Sequence, residues 1–444
     1  MAIDSQVLAE RRRHDPETEE RLRTGLTKPV PDGVFRSLGL GLITGASDDD
    51  PSAIGTYAAV GASLGPSFLW AAPFMFPMMF AVVYLSSKLG QVSGQGLFAV
   101  IRQNYSRGLL YVFLATAVVG NVIEAGADLG GMAAALNIIV PVPIHALVVL
   151  FGLAVLVLQW RNYRWIRSIF RWLALALLAY IGSAILAKPE VLPAIKGTLI
   201  PTIHWNKDFF AMLVAVIGTS LSAYLYSWQS NQDVEEDIAM GRRRLTDRMG
   251  ASEPELRHSR RDVALGMFFS NLVMYFIILS TAATLFKVGK TDISTAADAA
   301  QALQPVAGNA AGLLFAAGVV GVGFLAVPVM TIGAAFDICQ SFGWKHGLHI
   351  QWKQAKPFCT TIAVLTLVAI GLNFLPINPM KALVFAGIVQ GLSTPFLMLL
   401  VMLITNNRKI MGRWVNTRPM NILGWFTTTA MFAATVGLLI MLMK

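Results

Sequence analysis

The sequence predicts an all-α membrane protein with eleven transmembrane helices, on the basis of two observations. Of the 444 residues, 55% are hydrophobic and only 14% are charged, whereas a soluble domain carries about 25% charged residues. The hydrophobic residues also cluster in blocks close to the roughly 20 residues that an α-helix needs to cross a hydrocarbon core of about 30 Å. The chain therefore belongs to the class of polytopic membrane proteins.

The predicted spans follow one another along the whole chain after a polar N-terminal segment. Residues 1–35 include RRRHDPETEERLR and lack the short apolar core of a signal peptide. We expect these residues to form a cytoplasmic arm. The predicted spans cover residues 36–60, 66–87, 109–139, 143–159, 170–187, 209–231, 263–286, 310–338, 358–377, 381–404 and 420–443.

Lysine and arginine residues are unequally distributed between the two sides of the predicted membrane. With the N-terminus inside, 28 of the 35 basic residues fall on the same side, in the arm, in the loops or, for Arg36 and Arg171, at the adjoining span ends. The positive-inside rule assigns that side to the cytoplasm and places the C-terminus outside. Anionic lipid accounts for basic runs such as residues 242–244, so the net charge of +10 implies no nucleic-acid partner.

The first span contains a polar interruption, GASDDDPSAIGTY at residues 45–57. In a continuous helix Asp50 would lie more than halfway across, where an ionised carboxylate is costly unless it faces protein, water or a cation. Pro51 removes an amide donor and disfavours helical geometry at Asp50. We therefore expect a break at residues 48–53 that lines a cation site, as in secondary transporters. A span that begins only after Pro51 is the alternative, but it would be short and glycine-rich.

Broken helices in transporters usually occur in pairs related by an inverted repeat, so the sixth span should also be interrupted. Its segment GTSLSAYLYSWQSNQ, residues 218–232, is rich in small and hydroxyl-bearing residues, although no proline forces a break. We expect unwinding near residues 219–224. Other polar residues in apolar spans are either functional or members of interhelical hydrogen bonds: Glu124 and Asp128 at i, i+4 spacing, Asn271 and Gln390.

These motifs together resemble the NRAMP (natural resistance-associated macrophage protein) family of divalent-metal transporters, and more closely its divergent bacterial branches, which include NRAMP-related magnesium transporters. DPSA at residues 50–53 stands where the family has Asp-Pro-Gly-Asn, and GTSLSAYLYSWQ stands where it has a segment containing Met-Pro-His. QGLSTPF at 390–396 and NNRKIMGRWVN at 406–416 resemble the end of span 10 and the following loop. The similarity covers most of residues 38–425.

The resemblance implies a LeuT-type fold, a five-plus-five inverted repeat with broken helices 1 and 6. It divides the chain into the arm at residues 1–35, a transport core at 36–404 and an additional eleventh helix at 420–443. The two repeats of the core would cover residues 36–187 and 209–404. The resemblance also implies the inner membrane of a bacterium, with a cytoplasmic N-terminus.

The metal-ligand positions of the family are only partly retained. In the family pattern the ion is held by an aspartate, matched by Asp50, by an asparagine, which is Ala53 here, and by a methionine, which is Ser222 here. A thioether favours Mn and Fe over hard ions, so its loss removes that discrimination, and missing side chains leave room for the waters that Mg²⁺ retains. We expect a partly hydrated Mg²⁺ or Mn²⁺ ion. The predicted ligand set is Asp50, Ala53, Thr219, Ser222 and Gln390.

Residues for proton coupling are also altered. Tyr224 and Gln229 stand where coupled family members have histidines, and neither titrates near neutral pH. Asp128 matches the acidic position of span 3, while Glu124 is displaced by one residue from the usual partner position. Glu124 and Asp128 remain a candidate proton route, but we expect import to be weakly coupled or uncoupled. The residues expected to attract the cation or to surround the site are Asp48, Asp49, Tyr224, Gln229 and Asn271.

Two other functions remain open. The chain could be a proton-coupled Mn²⁺ or Fe²⁺ symporter, or a transporter of organic solutes with the same fold, which Tyr224, Tyr226 and Trp228 would favour. An enzyme is not expected, because the six histidines lie in loops or at span ends and the two cysteines form no metal-binding pattern. We expect no cofactor. The partners implied are the lipid bilayer and the transported cation, and the sequence does not indicate an oligomeric state.

Overall fold

The computed structural model describes residues 40–159, 178–350 and 354–443 of the chain. All regular structure within these ranges is helical. The predicted N-terminal arm and the first part of the predicted fifth span lie outside the described residues. The principal helices are α1 (Leu40–Asp48), α2 (Pro51–Leu64), α3 (Ala71–Ser93), α4 (Arg107–Asn137), α5 (Ile144–Gln159), α6 (Leu178–Leu186), α7 (Lys207–Ser220), α8 (Ala223–Ala239), α9 (Glu253–Thr284), α10 (Ala311–Phe342), α11 (Lys356–Leu372), α12 (Pro379–Thr405) and α13 (Arg418–Met443).

Short helices connect the principal ones. The α-helical connectors are Leu97–Asn104, Val191–Leu199, Leu245–Arg248, Ala296–Ala300, Gln304–Ala307 and Arg408–Met411. The 3₁₀ connectors are Gly65–Phe68, Phe286–Val288, Gln301–Leu303, Gly308–Ala310 and Gly412–Trp414.

The break predicted in the first span is confirmed. α1 ends at Asp48, and α2 begins at Pro51 with Asp50 as its N-cap residue in an extended conformation (φ −66°, ψ 172°). The physical cause is local, because proline is well suited to the first turn of a helix and excludes helical geometry from the residue before it.

The break predicted in the sixth span is also confirmed, although no proline enforces it. α7 ends at Ser220, and α8 begins at Ala223 after Leu221 (φ −129°, ψ 44°) and Ser222 (φ −58°, ψ 151°). The free amide of Ala223 donates to Gln390 Oε1 of α12 at 3.1 Å. A side chain from another helix therefore satisfies a backbone group that the break exposes, which hydrocarbon could not do.

The two broken helices pack in the centre of the bundle. α1 and α2 lie along α9, α7 lies along α12, and α8 lies along α3. α4 packs against α10 and α12. Close backbone approach needs glycine at these contacts: a Cβ on Gly45 would overlap the backbone of Gly266, and one on Gly218 would overlap the carbonyl oxygen of Gly387. Small residues at such contacts are typical of helix packing in membranes.

Seven stretches among the described residues are long and apolar enough to cross a membrane, and α5 and α11 are shorter apolar helices. The first span is divided by its break into two short helices, and the fifth is only partly described. The count of eleven transmembrane helices and the orientation of the chain therefore remain predictions.

Several helices extend beyond the spans that hydropathy predicts, and α9 and α3 show why. α9 begins at Glu253, ten residues before the predicted start at 263, because Ser252 and Glu255 form a capping box there. Lys88, assigned to a loop from the sequence, lies within α3 and is 5% exposed. Its Nζ donates to Asn416 Oδ1 at 3.0 Å. Hydropathy marks the part of a helix that matches the bilayer and not the ends of the helix.

Candidate cation site

The N-terminus of α2 holds two carboxylates. Asp50 Oδ1 accepts from the backbone N–H of Ala53 at 2.7 Å, and Asp128 Oδ1 of α4 accepts from the N–H of Ser52 at 2.9 Å. The first amides of a helix have no partner within it and carry partial positive charge, so they stabilise anions. The break thus fixes one oxygen of each carboxylate.

The second oxygen of each of these carboxylates is left without a partner. Asp50 and Asp128 are both 0% exposed, and Asp50 Oδ2 and Asp128 Oδ2 have no hydrogen-bond donor. A buried carboxylate oxygen without a donor is costly unless a proton or a cation occupies it. This is the geometry expected of cation ligands, with one oxygen positioned by the protein and the other available.

Ser52 connects the residues of the site. Its hydroxyl donates to Asp50 Oδ1 at 2.7 Å and lies 3.2 Å from Glu124 Oε1 and 3.1 Å from Thr219 Oγ1. Ser52 therefore joins α2, α4 and α7 at one point. Ser52 was not among the predicted site residues, although its position two residues after Asp50 in DPSA was a usable signal.

Residues at the second break complete the group around Glu124. Ser222 Oγ donates to Glu124 Oε1 at 2.8 Å, and Gln390 Nε2 donates to Glu124 Oε2 at 2.8 Å. The oxygen of the Gln390 amide is occupied by the Ala223 N–H. In this arrangement Gln390 connects α12, α8 and α4 and does not present its oxygen to Asp50. Its assignment as a cation ligand remains a prediction.

The predicted ligands thus lie close together. Asp50, Thr219, Ser222 and Gln390 belong to one buried network with Glu124 and Asp128. Ala53 contributes a backbone amide to Asp50, and its methyl side chain provides no ligand atom. The side-chain donors of this network are carboxylate, hydroxyl and amide groups. Oxygen atoms of this kind are the ligands that hard cations prefer.

The residues expected around the site occupy three different surroundings. Asp48 and Asp49 contact Ser270 of α9, with its Oγ 2.9 Å from Asp48 Oδ2 and 3.3 Å from Asp49 Oδ1. Gln229 Oε1 accepts from Thr44 Oγ1 of α1 at 2.6 Å. The Asn271 amide nitrogen lies 3.8 Å from Met79 Sδ and 3.9 Å from Met274 Sδ.

Tyr224 and Tyr57 place their phenols close to the broken helices. Both are 0% exposed. The Tyr57 hydroxyl lies 2.7 Å from Ser220 Oγ at the end of α7, and Tyr224 is the second residue of α8, directly after the second break. Tyr57 and Ser270 were not predicted, because a lone hydroxyl in an apolar span is not distinctive until its neighbours are known. Ser220 was predicted only as part of the hydroxyl-rich segment at residues 218–232.

Comparison with known sequences places the chain among relatives of similar length. Residues 41–441 match the model of the family described as natural resistance-associated macrophage protein-like. The divalent metal cation transporter MntH of Klebsiella pneumoniae (strain 342) is 25% identical over 382 residues, which cover 85% of this chain and 87% of the relative. The divalent metal cation transporter MntH of Chromohalobacter salexigens is 27% identical over 412 residues and covers 90% of each chain.

Solved structures share the fold. A manganese transporter of Eremococcus coleocola, in complex with an aromatic bis-isothiourea substituted compound, superposes with a TM-score of 0.69 at 18% identity and covers 94% of this chain and 89% of that chain. Mhp1, a nucleobase-cation-symport-1 family transporter, gives a TM-score of 0.58 at 14% identity, with 90% and 91% covered. These similarities confirm the predicted LeuT-type fold. With the family match over residues 41–441, they show that this chain belongs to the natural resistance-associated macrophage protein-like (NRAMP) family of membrane transporters, which are not enzymes.

Proposed function

We propose that this protein is a secondary transporter that imports a divalent metal cation through the site between its broken helices, and that Mg²⁺ is carried as well as or better than Mn²⁺. The cation is the substrate, and no cofactor takes part. Relatives named as divalent metal cation transporters and a manganese transporter of the same fold support the class of substrate. In this proposal the N-terminus lies in the cytoplasm of a bacterial cell, and the chain consists of an N-terminal arm, a transport core of two repeats and an eleventh helix.

The observation that carries the proposal is the free oxygen of Asp50. Asp50 is fully buried at a helix break, its Oδ1 is fixed by Ser52 and Ala53, and its Oδ2 has no partner. Breaks of this kind at membrane depth bind ions in secondary transporters. A divalent cation at Asp50 Oδ2 satisfies the unpaired oxygen and compensates the buried charge.

The side chains around Asp50 support a hard, partly hydrated ion. Ser222 provides a hydroxyl where the family pattern has a thioether, and Thr219 and Ser52 provide further hydroxyls within 3.1 Å of one another. Mg²⁺ binds few protein oxygens and keeps several waters. Removal of the soft ligand lowers the relative affinity for Mn²⁺, Fe²⁺ and Cd²⁺.

Weak coupling to protons follows from Tyr224 and Gln229, which replace titrating histidines. The membrane potential then drives import with about 2.3 kcal/mol per charge for each 100 mV. A proton-coupled Mn²⁺ or Fe²⁺ symporter is the second candidate. It is favoured by the position of Glu124 and Asp128, which reach Asp50 through Ser52.

Flux into proteoliposomes tests this function. Vesicles loaded with Mg²⁺-, Mn²⁺- and pH-sensitive dyes are placed under an inside-negative potential, with competing ions outside. We expect Mg²⁺ uptake, little distinction from Mn²⁺, weak competition by Cd²⁺ and no proportional acidification. Asp50→Asn keeps a good helix cap but removes the charge, so its uptake should fall to that of empty vesicles.

The exposed Asp208, in the first turn of α7, gives a matched control. Asp208→Asn should transport like the parent. Undiminished uptake by Asp50→Asn would remove this residue from the site. Strong preference for Mn²⁺ with proportional acidification would favour the proton-coupled symporter, and absence of any divalent flux would favour an organic solute as substrate.

A further inference from the structure

A second pair of buried carboxylates precedes Asp50 and contacts a different helix. Asp48 and Asp49 are 0% and 2% exposed. Both lie against Ser270 of α9, at 2.9 Å and 3.3 Å from its hydroxyl, whereas Asp50 is held by Ser52 and Ala53 of α2. The pair and Asp50 therefore have separate hydrogen-bond partners, on α9 and on α2 respectively.

Ser270 cannot satisfy both carboxylates. A serine hydroxyl has a single proton, so it donates to only one of them at a time. Asp48 Oδ1 is buried and has no hydrogen-bond partner. Within the described ranges, no lysine, arginine or histidine forms an ion pair with either residue. Two adjacent buried carboxylates without a positively charged partner are unfavourable. A bound cation would contact the unpaired oxygen and compensate the negative charge.

A further feature next to Asp48 favours a cation. α1 ends at Asp48, and the last carbonyl groups of a helix are unpaired and carry partial negative charge. All of these groups present oxygen, as hard cations require.

We propose that Asp48, Asp49 and Ser270 form a second binding site for a divalent hard cation, adjacent to the site at Asp50 and distinct from it. The inference rests on the proposed function, since it assigns the same class of cation to both sites. Two carboxylates balance one divalent ion, whereas a monovalent ion would leave one buried negative charge. Two ions bound at these neighbouring sites would repel each other, so each would favour release of the other.

Counting bound ions tests the second site. The purified full-length protein is dialysed to equilibrium against MgCl₂ in sodium-free choline chloride, and bound Mg²⁺ is measured by mass spectrometry. We expect two Mg²⁺ per chain for the parent, one for the double variant Asp48→Asn/Asp49→Asn and one for Asp50→Asn. The exposed-site control Asp208→Asn should bind two. Melting temperature and gel filtration establish that each variant is folded.

Ser270→Ala provides a variant that keeps every carboxylate. It should leave the first Mg²⁺ unchanged and weaken the second by about 10-fold or more, as loss of a supporting contact does in metal sites. One Mg²⁺ on the parent, lost in both Asp50→Asn and the double variant, would show that the three aspartates share one ion and would overturn the second site. Two ions on the double variant would also overturn it. No Mg²⁺ on the parent would overturn the proposed function as well.

Discussion

Ser52 shows how a single hydroxyl can organise a buried polar site. Its Oγ lies 2.7 Å from Asp50 Oδ1 and within 3.2 Å of both Glu124 Oε1 and Thr219 Oγ1. Its backbone N–H holds Asp128. One residue thus fixes the orientation of the carboxylate that we propose binds the cation, and it brings the candidate proton route within one hydrogen bond of that carboxylate.

Substitution of Ser52 tests this positioning role. Ser52→Ala removes the donor to Asp50 and keeps the backbone contact to Asp128, so the Mg²⁺ affinity should fall by about 10- to 100-fold. The measurement is a Mg²⁺ titration of the purified protein. Ser63→Ala is the matched control, because the Ser63 hydroxyl contacts only the Val60 carbonyl in the same helix. Equal affinities for the two variants would assign Ser52 a purely structural role.

Arg242 illustrates how burial changes the contribution of an ion pair. Its guanidinium contacts Asp237 at 3.2 Å and Glu255 at 2.9 Å, and its side chain is 10% exposed. The pair joins the end of α8 to the start of α9 at the predicted cytoplasmic side. Arg257 and Glu253 form an ion pair of the same length, 2.9 Å, but their side chains are 56% and 70% exposed.

The two arginines therefore give a paired stability experiment. Arg242→Ala removes the guanidinium that donates to the buried Glu255 Oε1 and should lower the free energy of unfolding by about 1 to 3 kcal/mol. Arg257→Ala should change it by about 0.5 kcal/mol or less, because water screens exposed i, i+4 pairs. Thermal melts in detergent compare the variants. A larger loss of stability for Arg257→Ala than for Arg242→Ala would contradict the greater contribution expected of the buried ion pair.

At the scale of the helices, α7 and α12 approach each other through glycine. A Cβ on Gly218 would overlap the Gly387 carbonyl oxygen and lie 2.8 Å from Gly391 Cα. This contact places the end of α7 where Gln390 can reach the amide of Ala223. The close approach of the two helices therefore supports the second break, which lacks a proline.

A larger side chain at Gly218 should push α7 and α12 apart. Gly218→Ala is expected to destabilise the protein by about 1 to 3 kcal/mol, as overpacking does, and to reduce uptake because the second break loses its support from α12. Gly371→Ala in α11 is the control: no atom would lie within 4 Å of the added Cβ, and removal of a helical glycine stabilises by roughly 0.5 to 1 kcal/mol. A melting temperature for Gly218→Ala at or above that of the parent would contradict the packing argument.

At the scale of the whole molecule, the basic residues predict the orientation in the membrane. A reporter fused after Lys444 should lie outside the cell, so alkaline phosphatase should be active and green fluorescent protein dark at this position. A fusion after Gly250, between α8 and α9, should give the opposite result. Fluorescence at the C-terminus together with inactive phosphatase would mean that the number of spans is even or that the orientation is reversed.

The sequence alone determined the membrane class, the position of most spans, the first break and the family. These features depend on local properties: the length of an apolar block, the charge of a loop, or the effect of Pro51 on the residue before it. The predicted ends of the helices were less accurate. α9, for example, begins at a capping box that lies before its apolar stretch.

Only the tertiary structure decided which polar groups meet. Ser222 is 98 residues from Glu124, and Ser270 is 222 residues from Asp48. Such pairs depend on how the helices pack, and no local pattern indicates which hydroxyl lies opposite which carboxylate. The contacts of Gln390 were also decided in this way, because its oxygen accepts from an amide that only the second break makes free.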